Sequence, residues 1–315
     1  MIGAQHPERA RLRCMLSTQG RRWATLEELG TEERTVCAGV APLNATTSIA
    51  LPFPTNGELK AWRKHVSFDA LIKGCRAEPR ACAARPDVYE FGVYTGRAMR
   101  AMAKWSVLKS LPVRRFWGFD SFEGISRDAP PRTPNSSYSA SFSVGDFSVA
   151  RVLAGHGIVR ASPLKVVREY INDSRVELIG GYFEQSLTRR LAERRGMRPA
   201  MYVDVDCDIY SAALAALSWM LEHKLIVAGT VIGYDDWGYG MKGALQKLPG
   251  RGNYRLRPGV PLEGEPRAHK EIAARYNISF SPLERTIQSG ARAGVFESGW
   301  SSGQAIFRVD AIGGV

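Results

Sequence analysis

Carboxylates crowd two short stretches of this sequence. Asp204-Val205-Asp206-Cys207-Asp208 closes one apolar run, and Asp235-Asp236 closes another, Val231-Ile232-Gly233-Tyr234. Neighbouring parallel strands lie about 5 Å apart, so two such strand ends would bring several acids into one crevice. Alternation puts Asp204, Asp206 and Asp208 on one face while the strand lasts, and the turn is expected to rotate Asp208 away. Four or five carboxylates this close raise one another's pKa unless a cation is present. A hard divalent ion such as Mg²⁺, which takes carboxylates, waters and substrate oxygens, suits this donor set. Histidine and cysteine do not gather here, which disfavours zinc. The plainer alternative is a solvated acidic loop in which Asp208 caps the helix beginning at Tyr210. It accounts for one aspartate and leaves the others without a role.

A second constellation lies upstream. In Glu90-Phe91-Gly92-Val93-Tyr94-Thr95-Gly96 an acid ends an apolar run and two glycines stand four apart where a helix begins. Gly92 would let the backbone approach a ligand, and Gly96 would open a helix whose free N–H groups face the crevice. The spacing departs from the dinucleotide pattern GxGxxG, because Val93 and Tyr94 occupy places a pyrophosphate needs clear. A nucleotide-like ligand lacking a pyrophosphate fits better. Asp120, at the end of the next apolar run, is placed to accept both hydroxyls of a ribose lying over the first turn. An ordinary tight turn, with Asp120 and Ser121 as local caps, is the competing reading.

The elements that must position these residues follow from alternating strand and helix signals between Val88 and Tyr234, the pattern of βαβ units and a parallel sheet. Strands are expected at Val88–Phe91, Phe116–Phe119, Val176–Ile179, Met201–Val205 and Thr230–Tyr234. Helices are expected at Gly96–Leu108, Leu164–Tyr170, Phe183–Arg195 and Tyr210–His223. A helix near Glu265–Tyr276 and strands at Ile278–Pro282 and Gln304–Val309 would close the domain. The strand runs are short and continuously apolar, as for strands covered on both faces. An amphipathic helix is expected over Glu58–Cys75. The Ser- and Pro-rich stretch 126 to 145, with Tyr138 and Phe142, reads as a lid or binding loop. Trp105, Trp219 and Tyr202 read as core. Trp237 and Tyr239, directly after the acid pair, read either as packing or as a stacking surface for an acceptor.

These segments resemble, in order, the motifs of the macrocin O-methyltransferase-like family of class I S-adenosylmethionine (SAM)-dependent methyltransferases. The matching residues are Tyr89 to Gly96, Gly118-Phe119-Asp120-Ser121-Phe122-Glu123-Gly124, Ile179 to Leu187, Asp206-Cys207-Asp208-Ile209-Tyr210-Ser211 and Asp235-Asp236-Trp237. The resemblance spans about residues 65 to 310. It implies a doubly wound, Rossmann-like α/β sheet of seven strands, mostly parallel with an antiparallel last strand. It also implies SAM as methyl donor and Mg²⁺-assisted transfer to a hydroxyl of a small molecule, a sugar or another polyol or phenol-like acceptor. By the same resemblance Glu90, Gly92, Val93, Tyr94, Thr95 and Gly96 line the SAM site, with Asp120 and Ser121 on its ribose. Asp206, Asp235 and Asp236 match the metal-binding acids. For the proton acceptor Asp206 and Asp208 lead, with Lys242 and His223 as weaker alternatives.

Composition bounds the remaining choices. The chain has 315 residues, 44% hydrophobic and 23% charged, enough for a large α/β domain without staples. The expected division is a weakly structured arm over residues 1–55 and a methyltransferase domain over 56–315. Formal net charge is +12, and nine of those excess charges fall in the first 115 residues. Such a balance admits anionic partners, so a nucleic-acid methyltransferase is one alternative. Basic residues there are interspersed with acids and form no known RNA-binding module, which makes nucleic acid the lesser reading. A noncatalytic SAM- or nucleotide-binding protein of the same fold is another, and the acid cluster speaks against it. The five cysteines form no CxxC pair, so reduced thiols and a cytoplasmic setting are expected. The Arg-rich first 25 residues leave an organelle transit segment as the alternative. No membrane span is expected, and a homo-oligomer is compatible with everything above.

Overall fold

The computed structural model describes residues 66–129, 142–247, 253–283, 295–297 and 305–313. The expected arm, the start of the helix at 58–65, most of the Ser/Pro-rich loop with Tyr138, and Cys14 and Cys37 lie outside them. Two helices, α1 (Val66–Ala77) and α2 (Pro79–Ala83), lead into β1 (Asp87–Phe91), α3 (Arg97–Leu108) and β2 (Arg115–Asp120). Next come α4 (Val149–Gly155), α5 (Pro163–Ile171), β3 (Val176–Gly180), α6 (Phe183–Ser186) and α7 (Leu191–Arg195). The second half of the sheet is built from β4 (Ala200–Val205), α8 (Tyr210–Glu222), β5 (Val231–Tyr234) and α9 (Trp237–Lys242). The chain continues through β6 (Leu245–Lys247), β7 (Asn253–Leu256), α10 (Gly264–Arg275), β8 (Ile278–Pro282), β9 (Val295–Glu297) and β10 (Ala305–Ile312).

Seven strands form one sheet in the order β3-β2-β1-β4-β5-β10-β8, with β10 antiparallel to both its neighbours. The pairs β1–β2, β1–β4, β2–β3 and β4–β5 are parallel. The chain runs outward from β1 in one direction and returns beside it in the other, so the crevice over β1 and β4 is the switch point. Every residue of β1 and β4 is buried. Val88 belongs to the core with Met99, Met102, Val166 and Val167, while Tyr89 and Phe91 belong to the core with Leu217, Met220 and Ile272. Helices on both faces explain why the strand runs lack alternation.

Three features differ from the sequence reading. The helix expected over Phe183–Arg195 is two short ones, and side chains from α8 and from His223 just after it bond the carbonyls between them. Trp219 Nε1 donates to Thr188 O at 3.1 Å, and a ring nitrogen of His223 lies 2.8 Å from Arg189 O. A small antiparallel sheet, β6-β7-β9, and the helices α4 and α9 were not anticipated. Cys75 and Cys82 are joined as a disulfide across the α1–α2 turn, with Cα atoms 5.2 Å apart, in place of the expected free thiols. The turn folds residues seven apart onto each other, a proximity that a search for CxxC spacing does not detect. No helix among the described residues is long and apolar enough to cross a membrane.

The end of the sheet away from the crevice is pinned by one carboxylate. Asp87 is fully buried and accepts from Arg114 Nε (2.9 Å), Arg114 Nη2 (2.5 Å), Trp117 Nε1 (2.8 Å) and Arg198 N (3.0 Å). Removing Asp87 leaves Trp117 Nε1 and Arg198 N without this acceptor inside the protein, so Asp87→Ala is expected to destabilise the fold by about 2–3 kcal/mol. A lower denaturation midpoint at unchanged slope is the expected readout.

Candidate active site

The parallel strands stop together, but their hydrogen bonding continues one residue further. Gly92 N donates to Phe119 O (2.9 Å), Asp206 N to Phe91 O (2.9 Å), Asp235 N to Val205 O (3.1 Å) and Gly181 N to Asp120 O (3.0 Å). The residues just past each strand are thus held in ladder register. Their ends open onto a cleft of about 410 Å³ lined by, among others, Gly92, Tyr94, Asp120, Ser121, Asp206, Asp208, Asp235 and Asp236.

On one side stands the glycine turn. Gly92 has φ +91°, and a Cβ there would lie 1.7 Å from the Asp206 carbonyl oxygen. The glycine is therefore required by the close approach of β4's end, where the sequence reading attributed it to a ligand. Gly96, also left-handed, is the N-cap of α3. Asp120 organises both turns. Its Oδ2 accepts from Val93 N (2.8 Å) and Tyr94 N (2.7 Å), and its Oδ1 from Phe122 N (2.5 Å). Tyr94 and Phe122 carry φ of 46° and 59°, values costly for large side chains that persist only where surroundings enforce them. Burial pushes the Asp120 carboxyl up, against the pull of those three N–H groups. Ser121 closes a local turn: its hydroxyl donates to Gly124 O and accepts from Glu123 N. Of the residues expected around SAM, Gly92, Tyr94, Asp120 and Ser121 face the cleft, while Glu90, Val93, Thr95 and Gly96 lie behind it.

On the other side stand the acids. Asp206, Asp208 and Asp236 each offer a carboxylate oxygen, and these oxygens lie within 4.8 Å of one another. Asp235 lines the cleft but stands outside that group, and Asp204 turns inward to accept from Tyr202 OH at 2.9 Å. Asp208 is brought in where the sequence reading had it rotating away. Its φ of 64° and the Ile209 N to Cys207 O bond at 2.6 Å describe a tight γ-turn that folds it back. It therefore does not cap α8, whose N-cap is Ile209. Burial, and then neighbouring aspartates, push Asp206 and Asp208 well above the carboxylate range. Asp236 rises to about 6, chiefly by burial, with the hydrogen bond from Asp208 acting against it. Mutual repulsion among these closely set carboxylates adds to burial in raising all three.

Between these sides runs an apolar wall of Ile125, Phe142, Ile209 and Ala212. Two edge-to-face aromatic pairs flank it, Tyr94–Phe147 (5.8 Å) and Phe142–Tyr239 (5.7 Å). Tyr239 is exposed on the cleft. Trp237 is buried among Tyr234, His269 and Phe307 and is core, as are Trp105, Trp219 and Tyr202. His223 is occupied by the carbonyls of Trp219 and Arg189 and, like Lys242, does not line the cleft.

Sequence reasoning missed Glu265. It is fully buried in the first turn of α10, accepts from Asp236 N at 3.0 Å through Oε2, and its Oε1 has no hydrogen-bond partner. Burial, reinforced by Asp236 and Asp235, pushes its carboxyl well up. An acid opening a helix reads in sequence only as a dipole partner, and 29 residues separate it from Asp236.

Residues 73–248 match the family model described as macrocin-O-methyltransferase (TylF). That span exceeds half the chain, which therefore belongs to this family and is a SAM-dependent methyltransferase. Among solved structures the chain is similar to the O-methyltransferase NovP, at 15% identity over 85% of this chain and 84% of that one, TM-score 0.45. It is also similar to the calicheamicin methyltransferase CalS11, at 22% identity over 67% and 88%, TM-score 0.38. A third likeness is to TomG from Streptomyces achromogenes, at 17% identity over 82% and 92%, TM-score 0.38. No curated protein sequence matches. The family match, and not these distant likenesses, carries the assignment.

Glu90 gives a direct electrostatic test. It is fully buried with both carboxylate oxygens unpartnered, and burial, then Asp204, Asp120 and Asp235, raises its pKa well above 4.5. An acid whose folded pKa is raised loses stability as pH climbs from its unfolded value through its folded one. Gln ionises in neither state. Melting temperatures of wild type and Glu90→Gln are expected to run together below pH 4.5 and to diverge towards neutrality, with the variant the more stable. Parallel curves would contradict the assignment.

Proposed function

We propose that this protein methylates a hydroxyl group of a small-molecule acceptor, with SAM seated over the Gly92 turn and a divalent cation held by the acids at the opposite wall. The observation that carries the reading is the convergence of Asp206, Asp208 and Asp236 in the cleft that also contains the glycine turn. The donor set is all carboxylate oxygen, the chemistry of Mg²⁺ and not of zinc. Asp206 and Asp236 would hold the ion with Asp208 beside them, and Asp235 would meet its remaining solvent or acceptor oxygens.

SAM supplies a methyl group on a sulfonium, and a cation at these carboxylates supplies Lewis acidity that makes a neighbouring hydroxyl more acidic. The chain's own residues do the rest. Gly92, Tyr94 and Asp120 orient the donor, and positioning of this kind is worth on the order of 7–11 kcal/mol. Ile125, Phe142 and Ile209 give the acceptor an apolar face to lie on and keep water from that wall. The acceptor oxygen forms its bond to the methyl carbon as the carbon–sulfur bond breaks. Its proton passes to a carboxylate, and Asp208, which lines the cleft beside Asp206 and Asp236, is the residue we assign.

Transfer of labelled methyl from SAM to a panel of sugars, vicinal diols, phenols and RNA tests this. Turnover on a small hydroxyl compound, lost with a chelator and restored by Mg²⁺, is expected. Asp206→Asn and Asp208→Asn should each lower kcat by about 100-fold or more. Methylation of RNA alone, or full activity of Asp206→Asn, would contradict the proposal.

A further inference from the structure

We infer that Glu265 is a positioning residue for the cation site: its side-chain oxygen fixes the backbone of Asp236, and through it the carboxylate that Asp236 presents to Asp206 and Asp208. The inference rests on the proposed cation site and adds to it a residue from a distant part of the chain. Asp236 sits at a junction, where β5 has ended and α9 has yet to begin. It is the N-cap of α9, and its carbonyl accepts from Tyr239 N (3.0 Å) and Gly240 N (3.3 Å). Its own N–H has left the sheet ladder, whose last bond on this strand is Asp235 N to Val205 O. Glu265 Oε2 takes that N–H at 3.0 Å in a fully buried position. A buried amide donor left without an acceptor is strongly disfavoured, so this contact decides where Asp236 can stand.

The helix that carries Glu265 is itself locked to α9. Glu263 N donates to Gly240 O at 3.0 Å. A Cβ on Gly240 would lie 2.4 Å from Glu263 O and 2.7 Å from Pro266 Cδ. Glu265 therefore reaches Asp236 from a fixed platform. Partners in this position orient a metal-ligating group without touching the ion, and their loss commonly costs 10–100-fold in metal affinity. Glu265 has no opening onto the cleft and no described contact with a position for donor or acceptor. Its effect should appear in cation binding and not in SAM binding.

The test is titration of the full-length protein with Mn²⁺, followed by the electron paramagnetic resonance of the free ion, for wild type, Glu265→Gln and Glu265→Leu. Gln keeps an oxygen for the Asp236 N–H, and Leu does not. Mn²⁺ affinity is expected to fall 10–100-fold in Glu265→Leu and to stay within about threefold of wild type in Glu265→Gln, with the SAM dissociation constant unchanged in both. Equal Mn²⁺ affinity in wild type and Glu265→Leu would overturn the inference. Should Glu265→Leu fail to fold, a tenfold loss in Glu265→Gln would overturn it too, because charge and not the oxygen acceptor would then be what matters. A wild type that binds no Mn²⁺ would overturn the cation site itself, a result separable from the other two.

Discussion

One constraint organises this molecule: the main-chain ladder of the parallel sheet outlasts the strands by a residue. Phe91 O, Val205 O, Phe119 O and Asp120 O each accept from the first residue beyond a neighbouring strand. Side chains at those positions are therefore placed by backbone geometry before they make any contact of their own. Asp206 lies against Gly92 because β4 pairs with β1, and Asp235 follows because β5 pairs with β4. The demand is strict enough that a single Cβ at Gly92 would occupy the same space as the Asp206 carbonyl oxygen. Glycine turn and acid wall are thus one structure, and neither can shift without the other.

Against that scaffold the protein holds several groups in states they would not choose alone. Tyr94, Phe122, Phe147 and Asp208 have left-handed backbones around the cleft. Glu90 and Glu265 are fully buried carboxyls with unpartnered oxygens. Natural structures tolerate such costs where function needs a fixed arrangement. Asp120 shows how the cost is met: three N–H donors converge on one carboxylate and hold two turns in place. In the acid group, Asp206, Asp208 and Asp236 bring carboxylate oxygens within 4.8 Å of one another, a repulsion that a bound cation would relieve.

Much of this was legible in the sequence, and the limits have physical reasons. The strands were readable because burial on both faces leaves uninterrupted apolar runs, and β1, β2, β3, β4 and β5 fall within a residue of their expected bounds. The antiparallel closing strand followed from the family resemblance. The acids were readable because they stand at strand ends, where topology alone brings them together. Asp208 was misjudged because a γ-turn is a local backbone choice that strand alternation does not contain. The break in the helix after Phe183 depends on Trp219 and His223 in another element, and Glu265 acquires meaning only when α10 packs on α9. The disulfide between Cys75 and Cys82 depends likewise on a turn between two helices.

The central claim is that the strand ends assemble a cation site facing the methyl-donor turn. Anomalous scattering at the manganese edge, from crystals grown with Mn²⁺ and S-adenosylhomocysteine, tests it most directly. The account predicts a peak between Asp206 and Asp236, with the homocysteine sulfur across the cleft above Gly92. An active protein whose crystals hold the homocysteine product there but show no manganese among these carboxylates would contradict it.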